Sequence, residues 1–460
     1  MTSDEPSTAI PRLPSWANRN FQLLVSASFI SGLGNSGATI AAAYAVIDTG
    51  GSATDVGVVA AARTLAMVVF LLIGGAVADR IPRQRVMVSA NAVNALSQGL
   101  FALLVLAGHP PLWQMAALTA VGGTAQAFFS PASQGLVMST VEPAHAGKAF
   151  SVFRLATNGA NIGGAAIGGA LIAALGPGWV LAVDAAGFVV AGGLRARLSV
   201  REAGRSQKSG MVRDLREGWR EFVSRSWLWG IVVQFSVVNA MTSAAQSVYG
   251  PLVSRDHLGG AGPWGLALAA DGVGTVLGGL LMIRWKPRRI LLSGTLGVFP
   301  LALPLVALAL ALPLSALIGA ELVAGVAIEV FGVGWMVALH QEIPEEKMSR
   351  VSAYDWLGSI AVMPLGLALA GPAAAAFGRT ESLWGSAVLV VALTAAVLVL
   401  PDVRRLERRH GDPAPEESVS GAAAVLPAGA TAGAEIALPA GAPDGPGAAL
   451  PEAAAPVTPQ

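Results

Sequence analysis

The sequence predicts an all-α membrane protein with twelve transmembrane helices, and three observations carry that expectation. Only 12% of its 460 residues are charged and 54% are hydrophobic, against about 25% charged in an average soluble domain. Long apolar runs recur along most of the chain. Lys and Arg fall almost entirely on alternate sides of those runs.

A helix needs about 20 apolar residues to cross the hydrocarbon. Twelve such runs lie at about 21–46, 55–78, 86–107, 111–137, 149–175, 178–196, 227–251, 261–283, 290–310, 313–339, 352–377 and 382–400. Gly and Pro inside several of them are tolerated, because neighbouring helices re-satisfy freed backbone groups. Residues 1–20 are polar, without the apolar core or small-residue cleavage site of a secretory signal, and read as a cytosolic N-terminus. The first six runs make a bundle over 21–197. A basic linker over 198–226 contains MVRDLREGWREFV, whose Val212, Leu215, Trp219 and Phe222 recur every three to four residues, as in an amphipathic surface helix. The last six runs form a second bundle over 227–401. From 402 to 460 the chain turns to Ala, Pro and Gly, with no Lys or Arg after His410, and reads as a disordered cytosolic tail.

Basic residues set the orientation. With both termini in the cytosol, 25 of the 29 Lys and Arg fall inside and two, Arg255 and Arg379, fall outside. The remaining two, Arg63 and Arg154, lie within spans. Arg outnumbers Lys 25 to 4, a bias that fits a GC-rich bacterial genome and hence a bacterial inner membrane.

Composition also excludes chemistry. The absence of Cys removes disulfides, thiolate metal ligands and Cys nucleophiles. Five scattered His show no metal-ligand spacing, and no phosphate-cradling GxxxxGK[ST] motif occurs. A net charge of +1 gives no field for nucleic acid. The expectation is a monomer in the bilayer with no cofactor, no metal and no catalytic cluster of an enzyme.

The two bundles echo one another. GGAVADRIPRQRV (Gly74 to Val86) is answered 204 residues later by GGLLMIRWKPRRI (Gly278 to Ile290), with Gly-Gly and two Arg in register. Two six-helix halves with this echo resemble the major facilitator superfamily, whose halves are parallel repeats. Gly75, Asp79, Arg80, Arg83 and, one place on, Arg85 resemble that superfamily's loop signature between spans two and three, with departures at Pro82 and Gln84. The stretches AFFSPASQGLV (127–137), 256–281 and 349–372 resemble its drug-exporter branch, which includes macrolide and enterobactin exporters. The span-five antiporter signature is weakened to GAAIGG (Gly164 to Gly169), and Asn35 stands where this branch often has Asp. The resemblance implies two six-helix pseudo-repeats around a central cavity lined by spans one, four, seven and ten. It also implies that the 75–85 cluster latches the cytosolic gate. From the residues alone, that cluster is a positive topology anchor in which Asp79 can cap a facing helix, worth about 0.3–1 kcal/mol.

Polar residues inside the membrane are costly, about 2.5–3.5 kcal/mol for a mid-bilayer charge on insertion scales. Asn35, Gln126, Asn239 and Glu329 lie near the middle of spans one, four, seven and ten, which makes them the substrate-site candidates; helix–helix hydrogen bonding is the alternative role. Glu321, about 12 Å further out on the span of Glu329, and Asp271 in span eight join Glu329 as candidates for proton coupling. Asp184 reads as structural. Arg63 and Arg154 are buried cations that could meet a carboxylate or an anionic substrate, with Arg154 near enough to the cytosol to snorkel. Gly159, Gly163, Gly164, Gly168 and Gly169 make span five a close-packing surface. The expected function is export of a lipophilic small molecule by alternating access, coupled to protons. Uptake, or a ligand sensor of the same shape, are the alternatives.

Overall fold

The computed structural model describes residues 17–78, 81–108, 110–142, 145–199 and 211–408. Every regular element among them is helical. Before the linker come α1 (Arg19–Asp48), α2 (Ala53–Ala78), α3 (Arg83–Leu106), α4 (Leu112–Ser139), α5 (Ala146–Leu175) and α6 (Pro177–Ala196). The amphipathic segment is α7 (Met211–Val223). There follow α8 (Ser226–Ala244), α9 (Gly250–Val253), α10 (Ala261–Arg284), α11 (Ile290–Leu296), α12 (Ala302–Ala309) and α13 (Leu314–Glu342). The chain closes with α14 (Glu345–Ile360), α15 (Met363–Phe377), α16 (Arg379–Val397) and α17 (Pro401–Arg405).

Several elements join into longer rods. α8 runs through two π-turns and α9 to Leu258, α11 continues into α12, and α14 into α15. Each junction lies near a proline, Pro251, Pro300 or Pro364, which lacks an amide donor and crowds the preceding turn. Among the described residues, eleven rods are long and apolar enough to cross a membrane. The run expected at 111–137 is the 28-residue α4, whose Gln, Thr and Ser residues leave it too polar to count with them.

Polarity is inverted relative to a soluble protein. Leu96 is 75% exposed, and Leu155, Val189 and Phe377 also face outward, whereas Asn91, Gln234, Asp271 and Glu321 are buried. An apolar exterior suits lipid, where no polar group outside can find a partner.

Packing relations recur along the chain. α2 packs on α4, α1 on α5 and α6, and α3 on α6; in the same way α10 packs on α13, α8 on α14, α15 and α16, and α12 on α16. Two one-residue turns recur as well. α5 passes to α6 through Gly176 (φ 86°), and α15 to α16 through Gly378 (φ 94°), a left-handed conformation that favours glycine. Two seams join the groups, α2 against α15 and α5 against α10. At the α5–α10 seam a Cβ on Gly169 would sit 2.6 Å from the Ala261 carbonyl and 2.9 Å from the Gly265 Cα, so only glycine permits the approach. Gly164 and Gly168 serve α1 similarly, while Gly159 faces open space.

Two parts of the chain add to the expectations. Residues 402–408, expected to begin a disordered tail, are ordered: Val403 is fully buried, Ser226 bonds Asp402, and the Arg408 amide donates to the Arg288 carbonyl at 2.7 Å. Residues 409–460 and 1–16 lie outside the described residues. The linker helix α7 docks on the second group. Glu217 pairs with Arg350 at 2.7 Å, Glu221 with Lys347 and Arg225 at 2.8 Å, and Trp219 meets the Tyr354 ring edge-on at 5.5 Å.

The hydrogen bond from Lys347, then that from Arg225, holds the Glu221 carboxyl below its ordinary range. Its contribution to docking is therefore present above the free-carboxylate pKa and fades as pH falls through the lowered value. Exposed pairs of this kind are worth about 0.2–1 kcal/mol. Amide hydrogen exchange over 211–223 should accordingly run about two- to fivefold faster in Glu221→Gln at neutral pH. Unchanged exchange would remove these pairs from the docking.

Candidate functional site

A cavity of about 280 Å³ lies between the two groups of helices. All four residues expected at the substrate site line it, Asn35 from α1, Gln126 from α4, Asn239 from α8 and Glu329 from α13. Asp271 and Glu321 line it too, as does Arg154. The six residues expected at the substrate and coupling sites thus share one cavity, contributed by five helices. Arg63 and Asp184 stand apart from it.

Their local bonds qualify the expected roles. The Asn35 carboxamide oxygen accepts from Arg63 Nη2 at 2.7 Å, so part of its capacity is spent within the protein. Asn239 Nδ2 donates to the Ser359 carbonyl at 3.0 Å, bracing α8 against α14 beside the α14–α15 break. Gln126 Nε2 reaches Ser130 Oγ at 3.2 Å, one turn along α4. Helix bracing and cavity lining are combined in the same side chains.

Arg63 lies beside a second, smaller space of about 50 Å³, shared with Asn94, Gln98 and Thr119. It feels the charge of Asp184, which is fully buried beneath Gly34 and accepts from Gln98 Nε2 at 2.8 Å. This chain of contacts ties α1, α2, α3 and α6 together. Arg154 faces the cavity, its Nε buried without a hydrogen-bond partner among the described residues, and attracts Glu329 across the space, the carboxylate contact that was one of its expected roles. An arginine that can reach a counter-charge inside has less reason to snorkel outward.

The cavity's charges are sorted by wall. Arg154 is on the first group of helices, and Asp271, Glu321 and Glu329 are on the second. The Asp271 and Glu321 carboxylates lie near enough to repel each other, and one oxygen of Glu321 and one of Glu329 have no hydrogen-bond partner. Glycine makes the carboxylate wall possible, since a Cβ on Gly278 of α10 would stand 2.8 Å from the Glu329 Cβ.

The sequence reading missed Arg195, which also lines the cavity. The orientation count places it among the cytosolic cations, at the end of the 178–196 run, yet it is fully buried, with Nη2 donating to Ser28 at 3.1 Å and Ser31 at 3.3 Å. The available signal was direction. A helical Cα–Cβ bond tilts toward the helix N-terminus, so a residue in the last turn of α6 points back along the helix. Gln246 went unnoticed as well; it sits in the π-turn Ala245–Tyr249, the kind of local widening that gathers at functional sites. Asp355, buried in α14, accepts from the Trp335 indole at 2.9 Å and is remote from the cavity lining.

One end of the cavity is shut. At the face opposite the basic loops, the Tyr44 hydroxyl donates to the Pro251 carbonyl at 3.2 Å and Arg255 to the Ile47 carbonyl at 2.8 Å. There a Cβ on Gly57 would lie 2.5 Å from the Leu367 carbonyl, so α2 and α15 touch backbone to backbone. At the basic face, a Cβ on Gly75 would meet nothing within 4 Å. Arg83 and Arg85 are exposed and form no ion pair among the described residues. Asp79 and Arg80, the centre of the expected gate latch, lie outside the described residues.

Comparison with known proteins agrees with this architecture. Residues 24–359 match the Major Facilitator Superfamily. The chain is 27% identical over 402 residues to the multidrug efflux pump Tap of Mycolicibacterium fortuitum, covering 84% of this chain and 96% of that one. It is 31% identical over 190 residues to the multidrug resistance protein MdtH of Yersinia pestis, covering 38% and 43% of the two. Among solved structures, a bacterial homologue of the human lysosomal transporter Spinster, inward-facing and occupied, aligns with a TM-score of 0.65 at 14% identity, over 86% of this chain and all of that one. The chain is a multi-pass membrane protein and belongs to the Major Facilitator Superfamily.

Proposed function

We propose that this chain is a proton-coupled exporter of lipophilic small molecules in a bacterial inner membrane, standing here open toward the cytosol. The observation that carries the proposal is the central cavity with carboxylates on one wall, sealed at the face away from the basic loops. Its relatives' names support export as the direction. Phe129, Phe150, Phe153 and Leu305 supply the apolar lining that a lipophilic body needs.

Alternating access follows from where the seams lie. To open the other face, the outer ends of α2–α15 and α5–α10 must part, and the basic ends must meet. The two groups of helices then act as pseudo-repeats that rock about the cavity. In the closed-cytosol state, Gly75, Asp79, Arg80, Arg83 and Arg85 form the latch.

Coupling needs a group that protons and substrate both want. Asn35 cannot titrate and is engaged by Arg63, so span one does not supply it. Asp271 and Glu321 repel each other, a cost that either a proton or a cationic substrate relieves. Glu329 faces Arg154 across the gap, and neutralising Glu329 frees the two walls from each other. A proton entering from outside and a substrate leaving from inside therefore compete for the same negative charge.

In proteoliposomes with a proton gradient, Glu329→Gln should cut ethidium flux at least about tenfold, the effect of one lost charge interaction. Ethidium binding should persist, and Glu321→Gln should be milder. Wild-type flux in Glu329→Gln would shift the coupling role to Asp271, while binding without flux in the wild type would make the protein a sensor.

Orientation is checked directly, because the chain has no native Cys. Single Cys residues at Gly108, Gly260 or Arg379 should label from outside intact cells, and those at Gln207 or Gly411 should be protected. External labelling at Gln207 would invert the topology.

A further inference from the structure

Among the described residues, three arginines reach into the interior of this bundle, and two have an electrostatic partner. Arg63 bonds Asn35 and feels Asp184, and Arg154 faces Glu329. Arg195 forms no salt bridge among the described residues. Its guanidinium is fully buried, held by Ser28 and Ser31, and covered by the Phe129 ring at 4.7 Å; Nε and Nη1 have no acceptor among the described residues. Asn91, 1% exposed, lines the same cavity, and neither its carboxamide oxygen nor its nitrogen has a partner among the described residues.

A buried guanidinium with two idle donors is costly unless something fills them, because each unmet buried donor forfeits the hydrogen bond it had in water. A neighbouring carboxamide with both ends idle adds to that cost. These groups lie in a cavity whose opposite wall bears Asp271, Glu321 and Glu329. A ligand with a cation alone would satisfy the carboxylate wall and leave the Arg195 wall empty.

We propose that Arg195, Asn91 and the Ser28–Ser31 pair form an anion subsite of the transport cavity. The transported class is then amphoteric: an apolar body with a protonated amine for the carboxylate wall and a carboxylate or acidic hydroxyl for Arg195. Phe129, stacked on the guanidinium, offers that body a flat apolar face next to the charge. This inference rests on the reading of the cavity as a substrate path and narrows what that path accepts.

Rhodamine 110, which has a free carboxylate, and rhodamine 123, its methyl ester, differ at the one group in question. Their binding to the full chain is measured by fluorescence polarisation in phosphatidylcholine nanodiscs, with and without phosphatidylglycerol. The wild type should prefer rhodamine 110 by about tenfold, the worth of one charge-assisted hydrogen bond. Arg195→Gln should collapse the preference to under about twofold, and Asn91→Asp, which sets a negative charge beside the site, should do the same. The wild-type preference is decisive even if Arg195→Gln fails to fold. Equal affinities for the two dyes, or no binding of either, overturn the subsite. A preference that phosphatidylglycerol abolishes assigns the site to a lipid head group and overturns the substrate assignment. Gradient-driven flux of both dyes, measured in parallel, separates this inference from the export reading. Flux without preference leaves export standing and removes the subsite; preference without flux does the reverse.

Discussion

The cost of placing charge where water cannot solvate it governs this molecule. Outside, the helices meet lipid and must be apolar; inside, polar side chains survive only beside partners or along a cavity. Each buried charge here has been given one of those two fates. Asp184 accepts from Gln98, Arg63 donates to Asn35, and Asp355 accepts from Trp335. The rest, Asp271, Glu321, Glu329, Arg154 and Arg195, line the cavity. Fold and function divide along that line: charges satisfied within the protein hold helices together, and charges left facing the cavity are free to act on something that enters.

Glycine sets how the helices can meet. Where α5 crosses α10, and where α2 crosses α15, the backbones touch, and those contacts seal one face. Contacts made by backbone and small residues have no long side chains to disentangle. A seam of that kind can open and reclose with little repacking, which suits the part of a transporter that must do so in every cycle. The opposite face is organised by long side chains instead, as in the pairs that Glu217 and Glu221 of α7 make with α14.

Much of this was legible in the sequence because membrane rules are severe. Runs of about 20 apolar residues located most of the helices to within a few residues, and Asn35, Gln126, Asn239 and Glu329, picked out by helical rise, share one cavity. What escaped was direction. Counting Arg195 among the cytosolic cations uses its position and ignores where its Cβ points. Placing Arg154 near the cytosol ignored Glu329, more than 170 residues away, whose proximity only the fold creates. Asn35 was read as a ligand without its partner Arg63, which arrives from another helix. The short ordered stretch after 402 was hidden by a polar composition, since its one fully buried apolar side chain is Val403 and its other anchors are polar.

The docking of α7 has a consequence for how the two groups of helices are joined. On one side, the Ser199 amide and carbonyl are both bonded to Asn20 of α1, at 3.1 and 2.9 Å. On the other, α7 is fastened to α8 and α14. The covalent link between the groups is thereby reduced to the stretch between Ser199 and Met211, because everything before it travels with the first group and everything after it with the second. The groups also meet independently of it, along α2–α15 and α5–α10 and through the Tyr44–Pro251 and Arg255–Ile47 hydrogen bonds. In mechanical terms, the two groups are clasped by non-covalent contacts at one face as well as strung on one chain.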